Sequence, residues 1–208
     1  MKKRMSLAQR VNILRASVMG ANDGILSVAG IVVGVAGATT NSFSILISGL
    51  AGMLAGTISM AMGEYVSVNT QKDSQKMAIT KQKAALADDY EAEASLVVQK
   101  YVDQGISKPL AQQATREMMA EDALTTTVRE RYGFNPNQFI SPYAAGIASM
   151  IAFPTGSILP LVSITFFPPR VKVLATVLAV GIALMITGYV AAMLGNANRR
   201  RGMVRNVV

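Results

Sequence analysis

The chain has 208 residues, 51% of them hydrophobic and only 15% charged, with a formal net charge of +8 and neither cysteine nor histidine. Disulfides, thiolate chemistry and imidazole-based metal centres are thereby excluded. Residues 24–63, 132–169 and 173–198 contain no Asp, Glu, Lys or Arg, and such runs suit the roughly 20 apolar residues that cross about 30 Å of hydrocarbon rather than a soluble domain.

In chain order, Lys2, Lys3, Arg4, Arg10 and Arg15 precede a first span expected at 16–38. Its apolar stretch exceeds a signal peptide's, and no small-x-small cleavage site follows, so it is expected to stay in the mature protein. A second span is expected at 43–66. Of the twelve acidic residues, all but Asp23 lie between 64 and 131. That stretch reads as a separate aqueous module of two or three amphipathic helices. One helix is predicted to run from Asp73 to a stop at Gly105, with Leu96, Val97 and Tyr101 as its apolar stripe. Another starts at Ser107, with Pro109 in its first turn, and ends at Gly133. The segment containing Pro136 and Pro142 is the return loop. Spans three and four follow at 143–167 and 172–194, and Pro154 and Pro160 predict a kink or break in the third. Gly20 and Gly24, Gly30 and Gly34, and Gly52 and Gly56 are each four apart, a spacing that permits close helix contact in lipid.

The fold class is therefore all-α: a polytopic membrane bundle of four spanning helices with a cytoplasmic helical insertion between the second and third. The expected divisions are 1–68, 69–140 and 141–208, the last ending in a basic tail. Arg199, Arg200, Arg201 and Arg205 follow the fourth span. Basic clusters mark cytoplasmic flanks, so both termini and the 69–140 module are expected on the cytoplasmic side of the cell membrane. Placed this way, the positive charge answers to a lipid bilayer and not to nucleic acid.

An ionised carboxylate in hydrocarbon costs about 3 kcal/mol or more, so Asp23 requires a partner, a wet cavity or a ligand. It lies eight residues beyond Arg15, roughly 12 Å along the helix, while Glu64 on the antiparallel second span lies roughly 8 to 10 Å from the same edge. Met60, four residues before Glu64, shares its face. Two carboxylates and a thioether suit a divalent ion such as Fe²⁺ or Mn²⁺, and the same oxygens can accept protons. The plainer readings stay open: Asp23 paired with Arg15 two turns away, and Glu64 as a juxtamembrane charge reaching for water. No catalytic motif is present, and an enzyme is not expected.

The segments "GANDGILSVAGIVVGVAGA" and "GLAGMLAGTISMAMGEYVSVNTQKD", with "DALTTTVRERYGF" and "SPYAAGIASMIAFPTGSILPLV", closely resemble the vacuolar iron transporter family and its nodulin-like members. The resemblance implies a homodimeric exchanger that moves Fe²⁺, and often Mn²⁺, out of the cytoplasm against protons, with no bound cofactor. Its transport site would map to Asp23, Met60 and Glu64. Relatives usually have a fifth span, which this chain approaches at "NANRRRGMVRNVV" without containing it. They also collect metal on cytoplasmic glutamates. Here Glu91, Glu93, Glu117, Glu121 and Glu130, with Met118 and Met119, are the candidates, but Leu96 stands where a further glutamate is usual. The alternatives are a non-transporting membrane partner or regulatory subunit of the same fold, and a calcium exchanger.

Overall fold

The structure, a computed structural model, describes residues 6–207 and consists of seven helices. They are α1 (Leu7–Ala38), α2 (Ser42–Asp88), α3 (Tyr90–Asp103), α4 (Lys108–Tyr132), α5 (Pro142–Phe166), α6 (Lys172–Leu194) and α7 (Arg199–Val207). Lys2, Lys3 and Arg4 of the basic N-terminal cluster lie outside the described residues. Four helices, α1, α2, α5 and α6, are long and apolar enough to cross a membrane. The protein is thus a multi-pass membrane protein with an all-helical fold.

Two compact units are present, one of residues 1–68 and 141–208, the other of 69–140; α2 supplies residues to each. In the first unit, local signals set the helix ends. The Ser6 hydroxyl accepts from the Gln9 amide, Asn41 Oδ1 from the amides of Phe43 and Ser44, and the Ser141 hydroxyl from the Ala144 amide. Each satisfies amides that a helix start leaves without partners. α1 and α5 run parallel, since Ser149 reaches the Ala16 carbonyl and Ser157 the Gly24 carbonyl. A Cβ on Gly24 would stand 2.0 Å from the Phe153 carbonyl oxygen, and one on Gly156 would stand 2.2 Å from that of Ala21. Only glycine permits this approach. Against this pair packs a core of Val28, Val32, Ile45, Phe153, Leu161 and Ile164, with the Phe153 ring lying over Gly56. The small-residue pairs diverge in use, because Gly20, Gly24, Gly52 and Gly56 meet neighbours whereas Gly30 and Gly34 face open space.

α5 is helical throughout Pro142–Phe166, with Pro154 and Pro160 inside it, so of the expected kink or break the break does not occur. Hydroxyls of Thr155 and Ser157 donate to the carbonyls of Ile151 and Phe153 around the first proline. Such side chains hold together the turn that a proline weakens.

The basic C-terminal segment is an ordered helix and not a loose tail. α7 returns along α6 with Gly202 against Gly188 and Ala192. Its Asn206 amide nitrogen donates to Asn22 Oδ1 (3.0 Å), Thr187 Oγ1 (2.7 Å) and the Leu184 carbonyl (2.8 Å), and Asn22 Nδ2 donates back to Asn206 Oδ1 at 2.6 Å. Thr187 also donates to Asn22 at 2.8 Å. Three polar side chains inside the bundle thereby satisfy one another, as apolar surroundings demand.

In the 69–140 unit, the helix predicted from Asp73 to Gly105 is two helices. α2 continues unbroken to Asp88, and α3 begins at Tyr90, with the Asp89 carboxylate accepting from the Ala92 amide. The "DD" pair carried this boundary, since Asp competes for backbone amides and favours the cap position. Of the predicted stripe, Val97 is buried and Leu96 exposed. α4 contains one non-helical residue, Asp122 (φ −156°, ψ 93°), whose carboxylate accepts from the Thr125 amide and so restarts the helix. Gly105 and Gly133 take positive φ at the two helix ends, as helix-terminating glycines do.

Candidate functional site

The α1 residues not committed to α5, α6 or α7 form a stripe at Arg15, Met19, Asp23, Ser27, Gly30 and Gly34, each three or four from the next, and all exposed. Asp23 stands in the middle of it. Its Oδ1 accepts from the Ser27 hydroxyl one turn on, at 2.7 Å. Neighbouring Asn22 points the other way, into the amide cluster with α6 and α7. The rotation of α1 that turns Asn22 toward α6 and α7 therefore turns Asp23 outward.

Glu64 is placed differently. Its side chain is buried, 6% exposed, and Oε2 accepts from Arg15 Nη2 at 2.7 Å. The same guanidinium donates to Asn12 Oδ1 at 3.2 Å and to Met19 Sδ at 3.3 Å. Arg15 thus pairs with Glu64 across the helices and not with Asp23 along its own. Met60, one turn from Glu64, packs against the apolar cluster around Phe153. Within a single chain the two acids have separate partners: Ser27 for Asp23, Arg15 for Glu64. Near the same end, the Tyr65 and Tyr143 rings meet at 5.3 Å.

The residues by themselves pointed to Asp23, Met60 and Glu64, but not to Arg15 as the partner of Glu64 or to Asn12 and Met19 as further acceptors of the Arg15 guanidinium. The spacing of Asn12, Arg15 and Met19 on one helix was visible. That Arg15 reaches Glu64, 49 positions away, was not.

In the 69–140 unit the candidate metal residues are dispersed or already neutralised. Glu93 is buried, and its carboxylate accepts from Gln82 at 2.6 Å and from Arg131 at 2.9 and 3.1 Å. Glu130 is paired with Lys100 at 3.1 Å and Arg129 at 3.2 Å. Burial disfavours its charge, but hydrogen bonds from Lys100, Tyr101 and Arg129 outweigh that and hold its carboxyl below the ordinary range. Burial, then the nearby Glu130, push the Tyr101 hydroxyl up. Glu93, Glu130, Lys100 and Arg131 line one cavity, each carboxylate paired with one of the cations. Glu117 accepts from Gln113 on an exposed face, and Glu91 and Glu121 are exposed. Met119 is buried in packing, and Met118 Sδ faces the Tyr101 hydroxyl and the Arg129 guanidinium at 3.9 and 3.8 Å. Among the described residues no group of three or more acidic side chains is placed to hold a metal ion.

Comparison with known proteins gives the family of the chain. A family model described as the VIT family matches residues 14–208. The "Vacuolar iron transporter" of Acanthamoeba castellanii is 35% identical over 193 residues, covering 92% of this chain and 71% of that protein. "Vacuolar iron transporter homolog 5" of Oryza sativa subsp. japonica is 32% identical over 205 residues, covering 98% and 76%. "Vacuolar iron transporter homolog 2" of Arabidopsis thaliana is 30% identical over 199 residues, covering 95% and 77%. With four apolar spanning helices and a match over nearly its whole length, the chain belongs to the VIT family, whose members are transporters and not enzymes.

Proposed function

We propose that the protein is a homodimeric transporter of divalent transition metal, Fe²⁺ or Mn²⁺, which carries the ion out of the cytoplasm in exchange for protons. Asp23, Met60 and Glu64 form its pathway. The observation that carries the proposal is the outward-facing Asp23 in the middle of an apolar span. A carboxylate turned toward lipid costs several kcal/mol, whereas one facing a second copy across a two-fold axis lines a shared polar path. Gly30 and Gly34 lie on the same stripe and leave room for a close partner helix. Carboxylates supply hard oxygen donors and Met60 a soft sulfur, a mixture suited to Fe²⁺ and Mn²⁺. Each carboxylate binds a proton or a metal but not both, so protonation from the far side expels the ion. The basic flanks put both termini on the cytoplasmic side of the cell membrane. Export from the cytoplasm rests on the family resemblance.

The test is flux in proteoliposomes loaded with a metal-quenched dye. Wild-type protein is expected to quench the dye with Fe²⁺ or Mn²⁺ and to move protons the opposite way. Asp23→Ala and Glu64→Ala are each expected to abolish both signals, and wild-type rates in the two variants would refute the assigned pathway. Pairing of Glu64 with Arg15 favours one other reading, a non-transporting partner subunit with a filled site. Absence of flux from the purified wild-type chain would select it.

A further inference from the structure

Glu64 Oε2, Asn12 Oδ1 and Met19 Sδ converge on one guanidinium at 2.7, 3.2 and 3.3 Å. Glu64 and Asn12 accept from its Nη2 and Met19 from its Nη1, so a carboxylate, an amide oxygen and a thioether surround this cation, the mixed hard and soft donors that a borderline divalent metal takes. Two of the three donors belong to residues more than nine-tenths buried, Asn12 at 8% and Glu64 at 6% exposed.

We propose that Asn12, Met19 and Glu64 form a metal entry site at the cytoplasmic mouth, and that Arg15 is its tethered place-holder cation. The inference rests on Glu64 belonging to the transport pathway. With no metal present, the guanidinium neutralises the buried carboxylate, which would otherwise stand uncompensated in a poorly hydrated site. An arriving divalent ion takes over the three donors. The Arg15 side chain, already 44% exposed, swings toward the aqueous edge on its flexible stem. It stays close enough to compete for Glu64, so the metal is held loosely and passes on toward Asp23, two turns farther along α1. Arg15 is thus a positioning residue that sets occupancy without carrying the ion.

A competitor that fills a site most of the time weakens the apparent affinity in proportion, so its removal is expected to tighten binding about tenfold. The probe is Mn²⁺, titrated against the full-length protein in detergent by electron paramagnetic resonance, with flux measured in liposomes. Arg15→Gln is expected to lower the half-saturating Mn²⁺ about tenfold and to reduce the maximal rate, because the ion now leaves slowly. A merely structural role would not produce that split. Millimolar methylguanidinium is expected to displace Mn²⁺ from Arg15→Gln and to leave wild type unaffected, while Arg15→Lys stays near wild type. Unchanged or weaker Mn²⁺ binding in Arg15→Gln overturns the place-holder. Should that variant fail to fold, wild type carries the test: Mn²⁺ is expected to accelerate phenylglyoxal modification of Arg15, read by peptide mass, and a rate indifferent to Mn²⁺ overturns the inference. Glu64→Gln separates the two ideas. Wild-type Mn²⁺ affinity in that variant removes Glu64 from the pathway, whereas lost affinity there with no gain in Arg15→Gln removes only the place-holder.

Discussion

Glu130 sits among Lys100, Tyr101 and Arg129, and its ionised form is held by all three. A carboxyl whose folded value lies below its ordinary 4.5 stabilises the fold above that value and loses the contribution as pH falls through the lowered one. At neutral pH the contribution is complete. Both cations are substantially exposed, so solvent screens the pairs. Glu130→Gln is expected to cost about 1 kcal/mol at pH 7 and progressively less below pH ~4. Amide hydrogen exchange across α3 and α4 at the two pH values checks this, and an equal loss at both values would discount the charge. Glu93 is likewise occupied, its oxygens accepting from Arg131 and Gln82. The family resemblance pointed to metal collection on the acids of this unit, where Glu93 and Glu130 are each paired with a cation.

Helices in the spanning unit meet through glycine, and the consequence is a graded sensitivity to added methyl groups. At Gly24 a Cβ would collide with the Phe153 backbone, which cannot step aside as a side-chain tip can. Gly24→Ala is expected to cost about 1 to 3 kcal/mol, the usual range for overpacking. Gly30→Ala meets nothing within 4 Å and serves as the control. Thermal unfolding of both variants in detergent, followed by size-exclusion recovery, measures the difference; equal midpoints would show that α1 and α5 are less closely seated than described. The same spacing of four thus marks a packed contact at Gly20 and Gly24 and an open face at Gly30 and Gly34. Sequence gives the stripe, and the helix's rotation decides what it meets.

Across the spanning unit, α5, α6 and α7 occupy one side of α1 and leave Asp23 on the other. The absence of cysteine makes the proposed dimer directly testable by single substitutions. Gly34→Cys, on the open stripe, is expected to form a disulfide-linked dimer on mild oxidation in membranes. Ile182→Cys, on the exposed face of α6, is expected to stay monomeric on denaturing gels. Crosslinking at Ile182 with none at Gly34 would place the partner elsewhere and leave Asp23 facing lipid. Asn22, Thr187 and Asn206 fix this orientation from behind, because their mutual hydrogen bonds hold α1 against α6 and α7.

The four spans, their approximate limits and the acid-rich insertion were legible in the sequence, because hydrophobic runs and charge placement act locally and one-dimensionally. So was the prominence of Asp23 and Glu64, since a charge is conspicuous wherever lipid is the solvent. The break at Asp89, the restart at Asp122 and the continuity of α5 through two prolines depended on which backbone groups found partners. The tertiary structure alone decided that Asn22 faces inward and Asp23 outward, that α7 docks on α6, and that Arg15 reaches Glu64. Those outcomes are set by helix rotation and by side chains meeting across long sequence separations, and spacing along one helix does not encode its neighbour's phase.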